Sequence, residues 1–146
     1  MIKIEKEKKA AQHLLYVSMK YTKTCDVMLN LMHRWQMMID EIMMSLLKKA
    51  KSKKKIKEIP IAPIQKVNIL LKLFPKEKIL KDSLDLYLFF RKIKTCTLSK
   101  EHEFRKNVAL RVMTPQGKET LIDLEKLKEW ENLLENFIKF TRVYIV

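Results

Sequence analysis

Hydrophobic residues recur at helical spacing through most of the chain. From Glu5 to about Thr22 they return every three or four residues with lysines between them, which predicts a first helix. A second helix is predicted to end near Lys51 and to begin at Thr24 or Asp26, since either side chain can accept a hydrogen bond from the first turn. No Gly or Pro separates the two helices, so one bent helix also fits the pattern.

The predicted second helix is apolar around most of its circumference. Its narrow polar stripe includes His33 and Arg34. A helix of this kind lies at the centre of a bundle or contacts a second molecule. Methionine suits adaptable interfaces, although a methionine stripe is also ordinary core. We therefore predict a homodimer through this helix, with the interface residues Met28, Met32, Trp35, Met38 and Met43.

Two prolines interrupt the helical pattern after the second helix. Residues 51–63 are predicted to form a basic, proline-containing loop, because proline lacks an amide donor and disfavours helix in the residue before it. A short helix is predicted from Ile64 to Leu73, ended by Pro75. The next apolar pattern of period three to four predicts a helix from about Glu77 to Lys94.

The periodicity changes in the last third of the chain. Residues 95–107 are irregular, and Ser99 is a candidate N-cap for a helical segment at 100–106. Two β-branched runs, 108–113 and 119–122, flank a turn with Pro early and Gly late, which predicts a β-hairpin.

Asp123 follows the hairpin and is well placed to cap a final amphipathic helix, with Glu125 in its first turn. The pattern as a whole predicts one mainly α domain over residues 1–146. We expect a helical bundle of four to five helices with one small β-hairpin near residues 108–122.

Composition excludes several kinds of site. The single Gly117 rules out glycine-rich dinucleotide and phosphate loops. Cys25 and Cys96 stand alone, and the three histidines are not paired at ligand spacing, so we expect no metal site and no cofactor. The first residues are charged where a signal peptide is apolar, and no long apolar run follows, which predicts a cytoplasmic protein with reduced thiols.

Positive charge is the most distinctive property of the chain. Lys and Arg number 31 against 17 Asp and Glu, for a net charge of +14. The excess is +8 in residues 1–58 and +7 in residues 59–113, whereas residues 114–146 carry −1. Seven lysines fall within residues 48–57, and we expect their repulsion to make the second half of this tract an exposed, mobile loop. A merely solvated lysine-rich surface remains the alternative.

The charge favours binding to RNA or another polyanion, in contacts that do not depend on base sequence and weaken with salt. We expect separate basic stretches to converge into one continuous positive face. The predicted binding residues are Lys48, Lys49, Lys51, Lys53, Lys54, Lys55, Lys57, Arg91, Lys94, Lys100, Arg105, Lys106 and Arg111.

The segment His102–Asn107 carries the strongest cluster of reactive side chains. Arg105, Lys106 and Asn107 can hold phosphate oxygens, and His102 can transfer a proton during RNA cleavage, so His102, Arg105 and Asn107 are the catalytic candidates. A charged turn before a strand is the simpler alternative. Phe104 offers a ring for base stacking, but core packing fits it equally. His13 is predicted to be a core or boundary residue.

The first helix contains Ala11, His13, Leu14 and Tyr16, and the segment after the fourth helix contains Arg105-Lys-Asn107. With the order of helices over residues 1–107, these features resemble small prokaryotic proteins of the HEPN superfamily. The resemblance implies a helical bundle that commonly dimerises and often binds or cleaves RNA, in some cases as a toxin paired with a nucleotidyltransferase-type antitoxin. The hairpin and the final helix are then elaborations.

The catalytic signature of that superfamily is an arginine followed by His after four to six residues. No arginine of this chain meets that spacing, since ten residues separate Arg91 from His102 and Arg105 comes after it. We therefore expect a non-catalytic polyanion-binding protein. The alternatives are a metal-independent ribonuclease of HEPN toxin type and a protein-interaction module that dimerises through the methionine-rich helix.

Overall fold

The computed structural model describes residues 1–146 as five helices and three short strands. Helix α1 consists of Ile2–His13, a π-helical turn at Leu14–Ser18, and Met19–Tyr21. The other helices are α2 (Cys25–Ser52), α3 (Pro63–Leu73), α4 (Lys78–Lys92) and α5 (Leu124–Ile145). The predicted helical bundle is therefore confirmed. No helix has the length and hydrophobicity that a membrane-spanning segment requires.

Capping side chains determine where the two longest helices begin. The Thr24 hydroxyl accepts a hydrogen bond from the Val27 amide at 3.4 Å, so α1 and α2 are separate helices and Thr24 is the cap of α2. The Asp123 carboxylate accepts a bond from the Lys126 amide at 2.8 Å and caps α5, as predicted. Pro63 occupies the first turn of α3, where its missing amide hydrogen costs no helical bond.

Helix α2 is the centre of the bundle. Twelve of its residues are buried, and the other helices and the sheet cover them. The predicted dimer interface is therefore wrong, because the chain itself buries these side chains and leaves no apolar face on α2 for a second copy. All five residues are 3% exposed or less, namely Met28, Met32, Trp35, Met38 and Met43.

The strands form one antiparallel sheet in the order β1, β2, β3, with β1 at Thr97–Glu101, β2 at Ala109–Met113 and β3 at Glu119–Asp123. The predicted hairpin is confirmed as β2 and β3. The predicted helical segment at 100–106 is wrong, because Ser99 lies inside β1 opposite Arg111. Four of the five β1 residues are exposed, so the strand lacks the apolar alternation by which sequence patterns are recognised.

Contacts along α2 define the two ends of the bundle. The Cys25 thiol donates to the carbonyl of Ala109 at 3.3 Å, which places the start of α2 against the sheet; this is the sheet end. An ion pair between Arg142 and Glu5 places the start of α1 beside the end of α5. A helix rises about 1.5 Å per residue, so Lys48 lies about 35 Å along α2 from Cys25, at the opposite end of the bundle.

Candidate nucleic-acid interface

Helix α2 ends within the lysine tract, in a Schellman motif. The amide of Lys55 donates to the Ala50 carbonyl at 2.9 Å, and the amide of Lys54 donates to the Lys51 carbonyl at 3.0 Å. Lys54 has a φ of 61°, in the left-handed region where glycine is usual. The motif satisfies the last helical carbonyls and turns the tract out of the helix axis.

A cluster of three aromatic rings lies beside this turn. The Lys53 ammonium lies 4.3 Å from the centre of the Tyr144 ring, and the Lys55 ammonium lies 6.0 Å from it. Within this cluster, the centre of the Phe74 ring lies 4.9 Å from that of Tyr144 and 5.3 Å from that of Phe140. Burial raises the pKa of Tyr144. The second half of the tract is exposed, as predicted, but these contacts tie it to α5 and to the end of α3.

The ring cluster brings lysines from three parts of the chain to one end of the bundle. Lys72 and Lys76 flank Phe74, and Lys139 precedes Phe140. None of these lysines, and none in the tract, forms an ion pair with a carboxylate. We name this surface the lysine end; it consists of Lys48, Lys49, Lys51, Lys53, Lys54, Lys55, Lys57, Lys72, Lys76 and Lys139.

Sequence reasoning missed three members of the lysine end. Lys72, Lys76 and Lys139 are isolated cations in the sequence, and nothing in their spacing relates them to the tract. Their proximity depends on the packing of Phe74 against α5. An aromatic residue within two positions of a lysine in two separate segments was the available signal, but it is too common to identify a site.

The remaining predicted binding residues lie outside the lysine end, and carboxylates at the sheet end neutralise two of them. The Lys100 ammonium is 3.0 Å from Asp26, and Arg111 pairs with both Glu101 and Glu119. Hydrogen bonds to these carboxylates raise the pKa of Lys100 and that of Arg111. The prediction of one continuous positive face is therefore wrong. The predicted residues are spread along the length of the bundle, and those at the sheet end are partly compensated.

Four predicted cations outside the lysine end have no carboxylate partner. Arg105 and Lys106 are exposed in the loop between β1 and β2. Arg91 lies 5.9 Å from the ring of Tyr87, and Lys94 borders a small cleft between α2 and α4 that His33 also lines. These cations are spread over several elements, and no shared cluster holds them together.

An open cleft of about 530 Å³ lies at the sheet end and brings together two of the three catalytic candidates. His102 and Asn107 line it, whereas Arg105 does not. His13 is exposed on α1, so its prediction as a core or boundary residue is wrong. No three His, Cys, Asp or Glu side chains lie close enough together to bind a metal ion. The cleft contains charges of both signs, from Lys106 and Arg111 and from Glu101, Asp123 and Glu125.

Comparison with family models, curated proteins and solved structures found no match to this chain. The resemblance to the HEPN superfamily therefore stays a prediction.

Proposed function

We propose that this protein binds RNA, or another polyanion with closely spaced phosphates, through its lysine end. One observation supports the proposal above all others. Tyr144 and Phe74 pack together beside Lys53, and this packing brings together the ends of α2, α3 and α5, each of which carries lysines that have no carboxylate partner. Uncompensated charge gathered on one surface produces a field that attracts phosphates, whereas the same charges scattered over the molecule do not.

The chemistry of the lysine end favours binding without sequence readout. Its cations are all lysines, which act as compact point charges and contact phosphates without the paired geometry that arginine offers. It contains no histidine or cysteine, and the neighbouring carboxylates of Glu58 and Glu77 form no ion pair with its lysines. The proposal is therefore for a binding surface and not for a reaction at this end.

The proposal is tested by the salt dependence of binding to a fluorescently labelled single-stranded RNA. If about five phosphates are contacted, raising the salt from about 50 to about 200 mM lowers the affinity about 100-fold. A peptide nucleic acid of the same base sequence, which has no phosphates, is the control and is expected not to bind. Equal binding of this control, or an affinity unaffected by salt, contradicts the proposal.

Competition separates RNA from other polyanions. Unlabelled inorganic polyphosphate is added at the same total charge as the RNA. If it displaces the RNA completely, the lysine end recognises phosphate spacing alone. If the RNA is retained, groups beyond the phosphates contribute to its affinity.

A ribonuclease is the second candidate function, because His102 and Asn107 share one cleft with Lys106. In that function His102 transfers a proton while the other two hold the phosphate. His102→Ala is expected to abolish cleavage, and Arg105→Ala, outside the cleft, to retain it. Absence of cleavage by the unmodified protein across varied RNAs removes this candidate.

A further inference from the structure

Phe104 is the one phenylalanine that packs against no part of the core. The other five are buried or pack on the core cluster, whereas Phe104 is 74% exposed. Burial of an aromatic side chain is among the largest favourable contributions to folding. A ring left in water at this position therefore contributes little to the fold.

The backbone beneath this ring is held in an unfavourable conformation. Phe104 has a φ of 66° and His102 a φ of 52°, both in the left-handed region that bulky side chains rarely adopt. Glycine or asparagine is the usual residue there. Such conformations persist only where the surroundings enforce them, and they concentrate at functional sites.

Two contacts fix the loop against the start of α2, and a third lies within the loop. The Phe104 amide donates to the carbonyl of Lys23 at 2.6 Å. The Glu103 carboxylate accepts from the Cys25 amide at 3.3 Å, at the positive end of the α2 dipole. The Arg105 amide donates to the carbonyl of His102 at 3.2 Å. The loop thus presents its exposed ring from a defined backbone.

We propose that Phe104 is a stacking platform for an unpaired nucleic-acid base. This inference rests on the proposed function and adds the class of ligand, which is RNA with a single-stranded segment. Arg105 and Lys106 follow the ring in the sequence, are exposed and have no ion-pair partner, so they are available to the phosphates on either side of the stacked base. Every base has a flat face, so stacking adds affinity without strong sequence preference.

Stacking on Phe104 and charge attraction at the lysine end favour different forms of nucleic acid. The lysine end attracts phosphates of single strands and duplexes alike. A duplex keeps its bases stacked on each other, so a ring at the protein surface gains a base only from an unpaired segment. The structure therefore leads us to expect a preference for single strands that depends on the ring and not on charge.

The test compares Phe104→Asn with Phe104→Trp. Asparagine removes the ring and suits the left-handed backbone, whereas tryptophan keeps a stacking surface. Each variant is titrated with a labelled single-stranded RNA and with a duplex of the same length. Phe104→Asn is expected to weaken single-strand binding about 5- to 100-fold and to leave duplex binding and the salt dependence unchanged. Phe104→Trp is expected to bind the single strand at least as tightly as the unmodified protein.

Several results would overturn the inference. If Phe104→Asn binds the single strand as tightly as the unmodified protein, the ring does not stack a base, and binding by the lysine end still stands. If it loses single-strand and duplex binding equally, the ring acts through the loop or the fold and not through stacking. If the unmodified protein binds neither RNA at low salt, the proposed function itself has failed.

Discussion

Both ends of α2 lie beside many cations, but carboxylates pair with two of the predicted binding cations at the sheet end and with none at the lysine end. At the lysine end, an aromatic cluster of Phe74, Phe140 and Tyr144 lies beside cations that have no carboxylate partner. At the sheet end, Lys100 and Arg111 are paired with carboxylates, and the distinctive feature is a strained, fixed loop. The number of cations in a segment therefore does not decide whether that segment presents a positive surface. Packing and pairing decide it.

The ion pairs at the sheet end change charge more than they change stability. The pairs of Lys100 and Arg111 lie at the surface, where water and salt screen the attraction, so they contribute little to the free energy of unfolding. Their main effect is to cancel local positive charge. The two ends therefore differ mainly in the electrostatic field that they present to a phosphate, and less in the interactions that stabilise each of them.

The largest expected effect comes from the helix that joins the two ends. Trp35 is 3% exposed and lies 6.2 Å from the Phe90 ring. Trp35→Ala is expected to lower the free energy of unfolding by about 3 to 5 kcal/mol, because it leaves a cavity in the core. Urea denaturation measures the loss, with Met37→Ala on the exposed side of α2 as the control. If Trp35→Ala changed the assembly state and left this free energy unaltered, the residue would belong to an interface after all.

A smaller effect is expected at the lysine end alone. Tyr144→Ala removes the ring that contacts Lys53 and Phe74, and we expect it to lower the free energy of unfolding by about 2 kcal/mol. Tyr144→Phe is the matched control. Its expected change is near zero because the buried hydroxyl has no hydrogen-bond partner to lose. Thermal unfolding of both variants provides the measurement, and equal losses would show that the hydroxyl matters and the ring does not.

The sheet-end loop has its own sensitive residue. Glu103→Ala removes the carboxylate that accepts from the Cys25 amide, at an expected cost of about 1 kcal/mol. Hydrogen exchange at the Phe104 amide should become faster, since that amide is bonded to Lys23 in the same loop contact. Amides of the lysine end should keep their rates, and faster exchange at both ends would mean that the loop is not an independent unit.

The smallest expected effect is a gain. Lys54 has a left-handed backbone in the Schellman motif, so Lys54→Gly is expected to raise the free energy of unfolding by about 0.5 to 1 kcal/mol. Lys54→Ala removes the same charge without relieving the backbone and serves as the control. A similar gain in both variants would trace the effect to charge repulsion within the tract and not to conformation.

Elements with a strong local pattern were predictable from the sequence. The apolar period located the helices, and Thr24 and Asp123 were recognisable as caps because their types suit those positions. Strand β1 was not predictable, because an exposed edge strand has no apolar alternation and is defined by its pairing with β2.

The candidate site was predictable only in part. The lysine tract is visible in the sequence, but Lys72 and Lys139 join it through tertiary contacts among aromatic rings. The methionine-rich helix misled the sequence argument, because an apolar helix at the centre of a bundle and one at an interface have the same pattern. Pairing of Lys100 with Asp26 was equally hidden, since the two residues are 74 positions apart.

One comparison tests the central claim most directly. Two variants each lose five positive charges by substitution to Gln. The first loses them at the lysine end (Lys48, Lys51, Lys57, Lys72 and Lys76), and the second loses them elsewhere (Arg91, Lys92, Lys94, Lys118 and Lys128). Both leave the Tyr144 cluster and the Phe104 loop intact. The slope of log affinity against log salt, measured on single-stranded RNA, is expected to become shallower by up to about 3.5 in the first variant and to change little in the second. Equal changes in the two variants would contradict the account, because binding would then depend on net charge and not on where the fold gathers it.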